Sequence, residues 1–351
     1  MTDRKQAGAI DGTQYSHPKN NFDFWRVLAA LLVLFSHQFA LLGHPEPSVF
    51  PQLSLGASGV CIFFVISGFL VTQSWRLDPN ALRFVTRRLL RIWPGLIVVV
   101  LLSTFVLGPL VSNLSTAEYF RTEETWRYLK TLLMNIKYEL PGVFTGNPYP
   151  RAVNGSLWTI PVEVRWYLVI LFAGAAGLLK SRYLLLVASV ILALYYFGIY
   201  GAMRDTKPIY FQEYGLFFLY GACLQMYQDE WRKHLVLSTL LCIGSAIVFL
   251  LLGHAFVAFW LVLPCLIVYC GTASTPFVRG FGRFGDLSYG IYIYAFPVQQ
   301  TIVWMTNARY PLPWTLALSV AMTLVLAFAS WHLVEQPALR FKPRRLDRKT
   351  A

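Results

Sequence analysis

The chain has 351 residues, of which 56% are hydrophobic, 16% aromatic and only 13% charged, with a formal net charge of +13. A soluble domain usually carries about 25% charged residues, so this composition excludes a pair of soluble domains, and it equally excludes a disordered, collagen-like or disulfide-stapled chain. A polytopic membrane protein remains, and its strong basicity needs a separate explanation.

Apolar stretches near the length needed to cross a ~30 Å hydrocarbon core recur along the chain. They predict about ten spans, near 24–42, 57–75, 93–112, 157–179, 183–200, 208–227, 235–252, 255–272, 284–306 and 312–334. The runs are continuous rather than alternating, which predicts an all-α, polytopic membrane helical bundle and not a barrel. The expected organisation is a polar tail over 1–23, a transmembrane domain over 24–334 and a basic tail over 335–351. Ten spans place both termini on one face. Twenty of the 30 Lys+Arg lie on that face and eight on the other, while Arg26 and Arg165 fall inside spans. The positive-inside rule therefore puts both termini in the cytoplasm. The tail residues Arg340, Lys342, Arg344, Arg345, Arg348 and Lys349 read as an anchor on anionic lipid headgroups. No cleavable signal is expected, because residues 1–23 are polar and the first span lacks a small-residue cleavage pattern.

In chain order, the first span holds Arg26 and His37. Eleven residues at 100° each return to within about 20° of the same face, about 16 Å apart along the axis. Both side chains then line one polar channel, Arg26 near the cytoplasm and His37 nearer the outside. A snorkelling arginine with a structural histidine is the plainer reading. The second span contains Ser67-Gly68, small residues that let helices approach closely. Before the third span, Arg83, Arg87 and Arg91 recur every four residues, a basic stripe if helical, with Arg88 sharing a face with Arg91. Arginine forks suit phosphates, although lipid headgroups explain such a stripe as well. The long connection 113–156 is expected to carry an amphipathic helix near Trp126–Lys137. The fourth span places Glu163 roughly 8 Å below its outer edge, the same depth as His37 below its own. A carboxylate beside an imidazole fixes the tautomer and raises basicity, as a general base requires. The five cysteines all lie in spans without metal-ligand or redox spacing and read as packing, so no metal is expected.

Together these segments resemble the acyltransferase-3 family of integral membrane acyltransferases. The resemblance rests on six motifs in order over residues 22–337. They are Arg26 with ten residues before His37; Gly59-Val-x-x-Phe-Phe-x-x-Ser-Gly-Phe-Leu70; Arg88-Leu-Leu-Arg91-Ile-Trp-Pro94; Trp158-Thr-x-x-x-Glu163 with Tyr167; Ser288-Tyr289-Gly-Ile-Tyr292 with Phe296-Pro297; and Glu335-Gln-Pro337. One departure is visible. Family members often have a histidine in the ninth span, where this chain reads Tyr294-Ala295-Phe296-Pro297.

The resemblance implies a bacterial inner-membrane enzyme that moves an acyl group, commonly acetyl, from cytoplasmic acyl-CoA to a hydroxyl of an extracytoplasmic saccharide or glycoconjugate. His37 becomes the catalytic histidine, with Glu163 and Arg26 in the same site. Arg88 and Arg91, with Arg87, become the residues for the acyl-CoA phosphates, and Ser67 and Tyr167 join them around the donor. No permanently bound cofactor is implied, since acyl-CoA is a substrate. Membrane lipids are the other expected partners, nucleic acid is not one, and a separate extracytoplasmic protein is needed only if the membrane part does not finish transfer alone. The competing reading is a transporter or flippase for a lipid-linked or small anionic solute, with Arg26, His37 and Glu163 as its path. The chain shows no repeat symmetry or paired broken helices of the kind such folds often carry.

Overall fold

The computed structural model of the chain describes residues 20–51, 53–200, 210–276 and 278–343. Most of the expected polar tail, the basic residues Arg344, Arg345, Arg348 and Lys349, and the segment with Arg204, Lys207 and Pro208 lie outside the described residues. Helix α1 (Phe22–Leu41) leads through a short hairpin, β1 (Ser48–Phe50) and β2 (Leu53–Ser54), into α2 (Leu55–Leu77). Then come α3 (Ala81–Leu102), α4 (Gly108–Val111), α5 (Thr116–Arg121), α6 (Glu123–Tyr128), α7 (Thr159–Ala175) and α8 (Arg182–Tyr195). The second half holds α9 (Tyr210–Met226), α10 (Gln228–Lys233), α11 (Leu235–Leu251), α12 (Ala255–Thr272), α13 (Ser288–Thr306), α14 (Leu312–Ser330) and α15 (Gln336–Leu339).

Helices overlie each of the ten expected apolar runs. Among the described residues six stretches are long and apolar enough to cross a membrane: Phe22–Leu41, Leu55–Leu77, Ala81–Val111, Gly155–Ala175, Ala255–Thr272 and Leu312–Leu339. The chain is an all-α membrane protein. Leu241, Leu251 and Val236 of α11 and Val325 of α14 point their side chains outward, as a surface solvated by lipid tails requires.

Two sequence boundaries shift. The third span was expected near residue 93, yet its helix begins at Ala81, where Asn80 caps it by accepting the Arg83 amide at 3.0 Å. The arginine run is therefore helical and continuous with the span, and a π-turn over Ser103–Leu107 joins α3 to α4. The amphipathic helix expected near Trp126–Lys137 is shorter. It occupies α6 and one tight 3-10 stretch to Leu133, and left-handed Met134 (φ 62°) ends it.

The centre of the bundle is α2, which packs against α1, α7, α9 and α12. Its contact with α9 is backbone on backbone. A Cβ at Gly68 would lie 1.9 Å from the Phe218 carbonyl oxygen, and one at Gly221 would lie 2.2 Å from that of Val65. Lipid gives helices no hydrophobic reason to associate, so small residues that admit close van der Waals contact decide which pairs form. Elsewhere aromatic rings occupy the space that glycines leave open: Trp75 at Gly174, Trp166 at Gly215 and Phe22 at Gly271. On α3, Pro94 cannot donate to the helix. There the Tyr289 ring of α13 lies over Gly95 and its hydroxyl donates to the Ile92 carbonyl at 2.7 Å.

Because the atom met at Gly68 is backbone and cannot turn aside, Gly68→Ala should cost roughly 2–3 kcal/mol or more through overpacking. Thermal unfolding in detergent checks this, with Gly244→Ala, whose added methyl meets nothing, expected to unfold as the parent does.

Candidate active site

The charged groups organise at the end of α13 nearest its first residue. Asp286 stands just before that helix, and its Oδ1 accepts the Ser288 hydroxyl at 2.5 Å. Its other oxygen, Oδ2, accepts from Arg26 of α1 at 2.9 Å and from Arg91 of α3 at 2.7 Å. One carboxylate therefore ties three helices. A second carboxylate holds the arginine one turn earlier on α3. Asp78, between α2 and α3, accepts from Arg83 at 2.5–3.2 Å and pairs with the buried Arg87. The Arg83 hydrogen bond, joined by the charge of Arg87, holds the Asp78 carboxyl down at about 2. It thus stays ionised at any physiological pH.

Beside these pairs lies a cavity of about 320 Å³. Its walls include Arg26, Arg87, Arg88, Arg91 and Asp286 near the mouth, Ser67, Glu163 and Tyr167 in the middle, and Phe63, Thr159 and Tyr292 at the deep end. Glu163 accepts the Ser67 hydroxyl at 2.8 Å and the Tyr167 hydroxyl, both on Oε1. Tyr167 reaches that oxygen because it follows Glu163 by four residues on α7, one turn along the same face, and the Ser67 hydroxyl lies 3.4 Å from that of Tyr167. Arg88 lies over the rings of Tyr167 and Phe84, 5.6 and 5.8 Å from their centroids. Its buried Nε has no hydrogen-bond partner. Of the four cavity arginines, Arg88 is the one without a carboxylate partner among the described residues. At the deep end Tyr292 meets Thr159 at 2.6 Å and donates to the Ser156 carbonyl at 2.8 Å.

His37 does not line this cavity. Its ring packs edge-on against Phe296, with centroids 5.3 Å apart, and its buried Nδ1 is unpartnered. The expected pairing of His37 with Glu163 is not formed, and of the two residues expected to line one channel Arg26 borders this cavity while His37 does not. Gly56 of α2 abuts Ser36 of α1, so His37 is level with the start of α2. Ser67, which holds Glu163, lies eleven residues further along, about 16 Å away in depth. The expected match of depths assumed that the fourth span begins near residue 157. In fact Gly155 already sits against the Phe296 ring, at the level of His37, and a tight 3-10 turn over Gly155–Trp158 precedes α7. Glu163 is consequently carried down to the arginine end. The carboxylate whose charge acts on His37 is instead Glu46, which accepts the neighbouring Ser36 hydroxyl at 2.5 Å.

The structure thus assembles Arg26, Arg88, Arg91, Ser67, Glu163 and Tyr167 around one cavity and leaves His37 beyond its deep end. Arg87 borders the cavity, but its charge is spent on Asp78 rather than left for a ligand. Three residues escaped the sequence reading: Asp286, Asp78 and Glu46. Asp286 had a readable signal, a lone acid two residues before the Ser288-Tyr289 motif at a span edge. Asp78 and Glu46 had none, being ordinary loop acids until their partners are known.

Comparison with known proteins identifies the family. The family model described as an acyltransferase domain matches residues 19–332. An O-acetyl transferase of Shigella phage Sf6 is 33% identical over 330 residues, covering 91% of this chain and 96% of the relative. Nodulation protein 10 of Rhizobium leguminosarum bv. viciae is 29% identical over 94% of this chain and 96% of its own length. The exopolysaccharide production protein ExoZ of Rhizobium meliloti (strain 1021) is 26% identical, over 86% and 95% respectively. No solved structure matches the chain. The chain belongs to the acyltransferase-3 family.

Replacing Asp286 by Asn would leave two guanidinium groups facing each other without their shared anion. The pairs are partly open, with arginine side chains 21–22% exposed, so a loss of about 2 kcal/mol is expected. A lowered thermal midpoint in detergent, restored in part when Arg26 is also replaced by Gln, is the measurement that checks it.

Proposed function

We propose that this member of the acyltransferase-3 family is an O-acyltransferase that moves an acyl group, acetyl in the first instance, from acyl-CoA to a hydroxyl of a carbohydrate. The names of the relatives, an O-acetyl transferase and an exopolysaccharide production protein, support the reaction and the class of acceptor. The excess of basic residues on the side of the termini supports a cytoplasmic donor and an extracytoplasmic acceptor, across a bundle of about ten spans in a bacterial inner membrane.

The observation that carries this reading is the charge of the cavity. Five basic side chains line it against three acidic ones, and Asp78 beneath Arg87 neutralises one more. Among the described residues Arg88 remains as an arginine without a salt bridge, a fork that suits the phosphates of a nucleotide-bearing donor. The flanking pairs Arg87–Asp78 and Arg91–Asp286 hold α3 at a fixed rotation, so Arg88 is presented and not merely nearby. The acyl-bearing arm then runs along Glu163, Ser67 and Tyr167 to Tyr292. That residue is one turn, about 6 Å, before Phe296 on α13, the residue against His37.

In this mechanism His37 takes the proton of the acceptor hydroxyl as its oxygen forms a bond to the thioester carbon. The carbon–sulfur bond breaks, and the CoA sulfur leaves and receives the proton. An imidazole that makes no hydrogen bond with any described residue is poor helix-bridging material and suits proton transfer better. Glu46 is the carboxylate placed to stabilise the imidazolium, the task that the sequence assigned to Glu163. Ser67 and Tyr167 both direct their protons to Glu163, so they shape the channel for the donor arm and are not free oxyanion donors.

The test uses purified protein, [14C]acetyl-CoA and surface polysaccharide of the source bacterium stripped of esters by mild alkali. His37→Ala should reduce transfer by about 10²–10⁴-fold at a normal yield of folded protein. Transfer retained at that yield would remove His37 from the mechanism. Arg88→Ala should raise KM for acetyl-CoA about tenfold with little change for the polysaccharide. An unchanged donor KM would return Arg88 to a structural role.

A further inference from the structure

A second cavity lies at the opposite end of α13 from Asp286. It encloses about 250 Å³ between the end of that helix and the loop following residue 140. Its walls carry Trp304, Asn307, Asn113, Asn147 and Thr145, and no lining residue is charged. This chemistry differs in kind from that of the arginine cavity. Trp304 is 40% exposed, and its indole N–H donates to no described residue. The side-chain amides of Asn113 and Asn307 are likewise uncommitted among the described residues. The Asn147 amide nitrogen is held by the Gln300 side chain at 2.8 Å and its carbonyl at 3.0 Å, which leaves the Asn147 side-chain oxygen as an acceptor.

The frame around these groups is rigid. Phe144, Asn307 and Ala308 adopt left-handed backbone, with φ of 52°, 47° and 53°. Such conformations are costly for side-chain-bearing residues and persist where the surroundings enforce them. Gly142 (φ 71°) admits the Asn113 amide, because a Cβ there would lie 2.2 Å from its oxygen. The cavity also leads toward His37. Asn147 is tied to Gln300, the Tyr149 ring is 6.2 Å from that of Phe296, and Phe296 packs on His37.

We propose that this cavity is the subsite for the acceptor, taking an uncharged saccharide unit. A sugar ring presents hydroxyls, each donor and acceptor, around a face of C–H groups. Amide side chains satisfy the first in both directions, and an indole with one apolar face and one polar edge suits the second. An anionic ligand finds no cation here, and a lipid chain finds too many amides. The saccharide is thereby held on the side of His37 away from the donor cavity, so that a hydroxyl and a thioester approach the imidazole from opposite ends of one helix. The inference rests on the acyltransferase reading for its biological meaning, but the binding itself is independent of turnover.

The probe is the same mild-alkali-treated bacterial polysaccharide, used in two ways. In the first, its equilibrium binding to purified protein is measured without donor. The parent chain should bind, Trp304→Ala should weaken binding about tenfold, Trp304→Phe should recover most of it, and Asn307→Gly should weaken it severalfold. The last variant keeps the left-handed backbone while removing the amide, so misfolding does not explain a loss. In the second, [14C]acetyl transfer is followed against polysaccharide and acetyl-CoA concentration. The half-saturating polysaccharide concentration should rise in Trp304→Ala and Asn307→Gly while that for acetyl-CoA stays within twofold. Unchanged binding and unchanged polysaccharide saturation in both variants would overturn the subsite. Binding that is lost in the variants, in a parent chain that transfers nothing, would uphold the subsite and overturn the acyltransferase reading instead.

Discussion

Asp286 accepts hydrogen bonds from two arginines of two different helices on a single carboxylate oxygen, at 2.9 and 2.7 Å. In a bundle surrounded by lipid such charges are tolerated only when they satisfy one another. The requirement propagates. Arg91 drawn to Asp286 and Arg87 drawn to Asp78 lie four residues apart on one face of α3, and two anchors on one face leave that helix no freedom to rotate. Arg88, about 100° from Arg87 around the axis, is then obliged to face α7. There it meets the ring of Tyr167, next to Glu163. An unpaired guanidinium in the cavity is thus a consequence of two paired ones beside it.

The same helix that begins at Asp286 orders the rest of the candidate site. Along α13, Tyr289 packs on Gly95 and donates to the Ile92 carbonyl, Tyr292 lines the arginine cavity, Phe296 packs on His37, Gln299 and Gln300 bind α1 and the long loop, and Trp304 opens on the second cavity. Nearly every residue from Ser288 to Gln300 is buried. This buried spine has different chemistry at its two ends, arginines and carboxylates at one and uncharged amides with an indole at the other. The polar bonds of Gln299 to the Leu34 carbonyl and the Gln38 side chain, at 2.8 and 2.9 Å, fix the His37 end of α1 against that spine.

The apolar runs, the basic stripe and the intramembrane ionisable residues were all legible without coordinates, because each is a local property. Hydropathy reports where a segment lies, the four-residue repeat of Arg83, Arg87 and Arg91 reports a helical face, and a charge in a span reports a partner somewhere. The partner itself was not legible. Glu163 was assigned to His37 by counting residues from the edge of a hydropathy window. Such an edge does not reveal that Gly155 already packs at the level of His37, or that a 3-10 turn with a different rise intervenes. The resulting displacement, about 16 Å or three helical turns, separates Glu163 from the histidine and sets it among the arginines.

By itself the sequence determined the class of fold and the family, and it offered a set of candidate side chains: Arg26, His37, Ser67, Arg87, Arg88, Arg91, Glu163 and Tyr167. These follow from composition, periodicity and ordered motifs, which are properties of the chain read in one dimension. Only the tertiary structure decided who faces whom. It gave Arg26 and Arg91 to Asp286, Glu163 to Ser67 and Tyr167, and Glu46 to the neighbourhood of His37, and it left Arg88 without a salt-bridge partner among the described residues. The physical reason is that pairing across helices depends on their relative rotation and axial register. Those are set by glycine contacts such as Gly68 against Phe218 and Gly56 against Ser36, where an ångström of approach between backbones moves every side chain that follows.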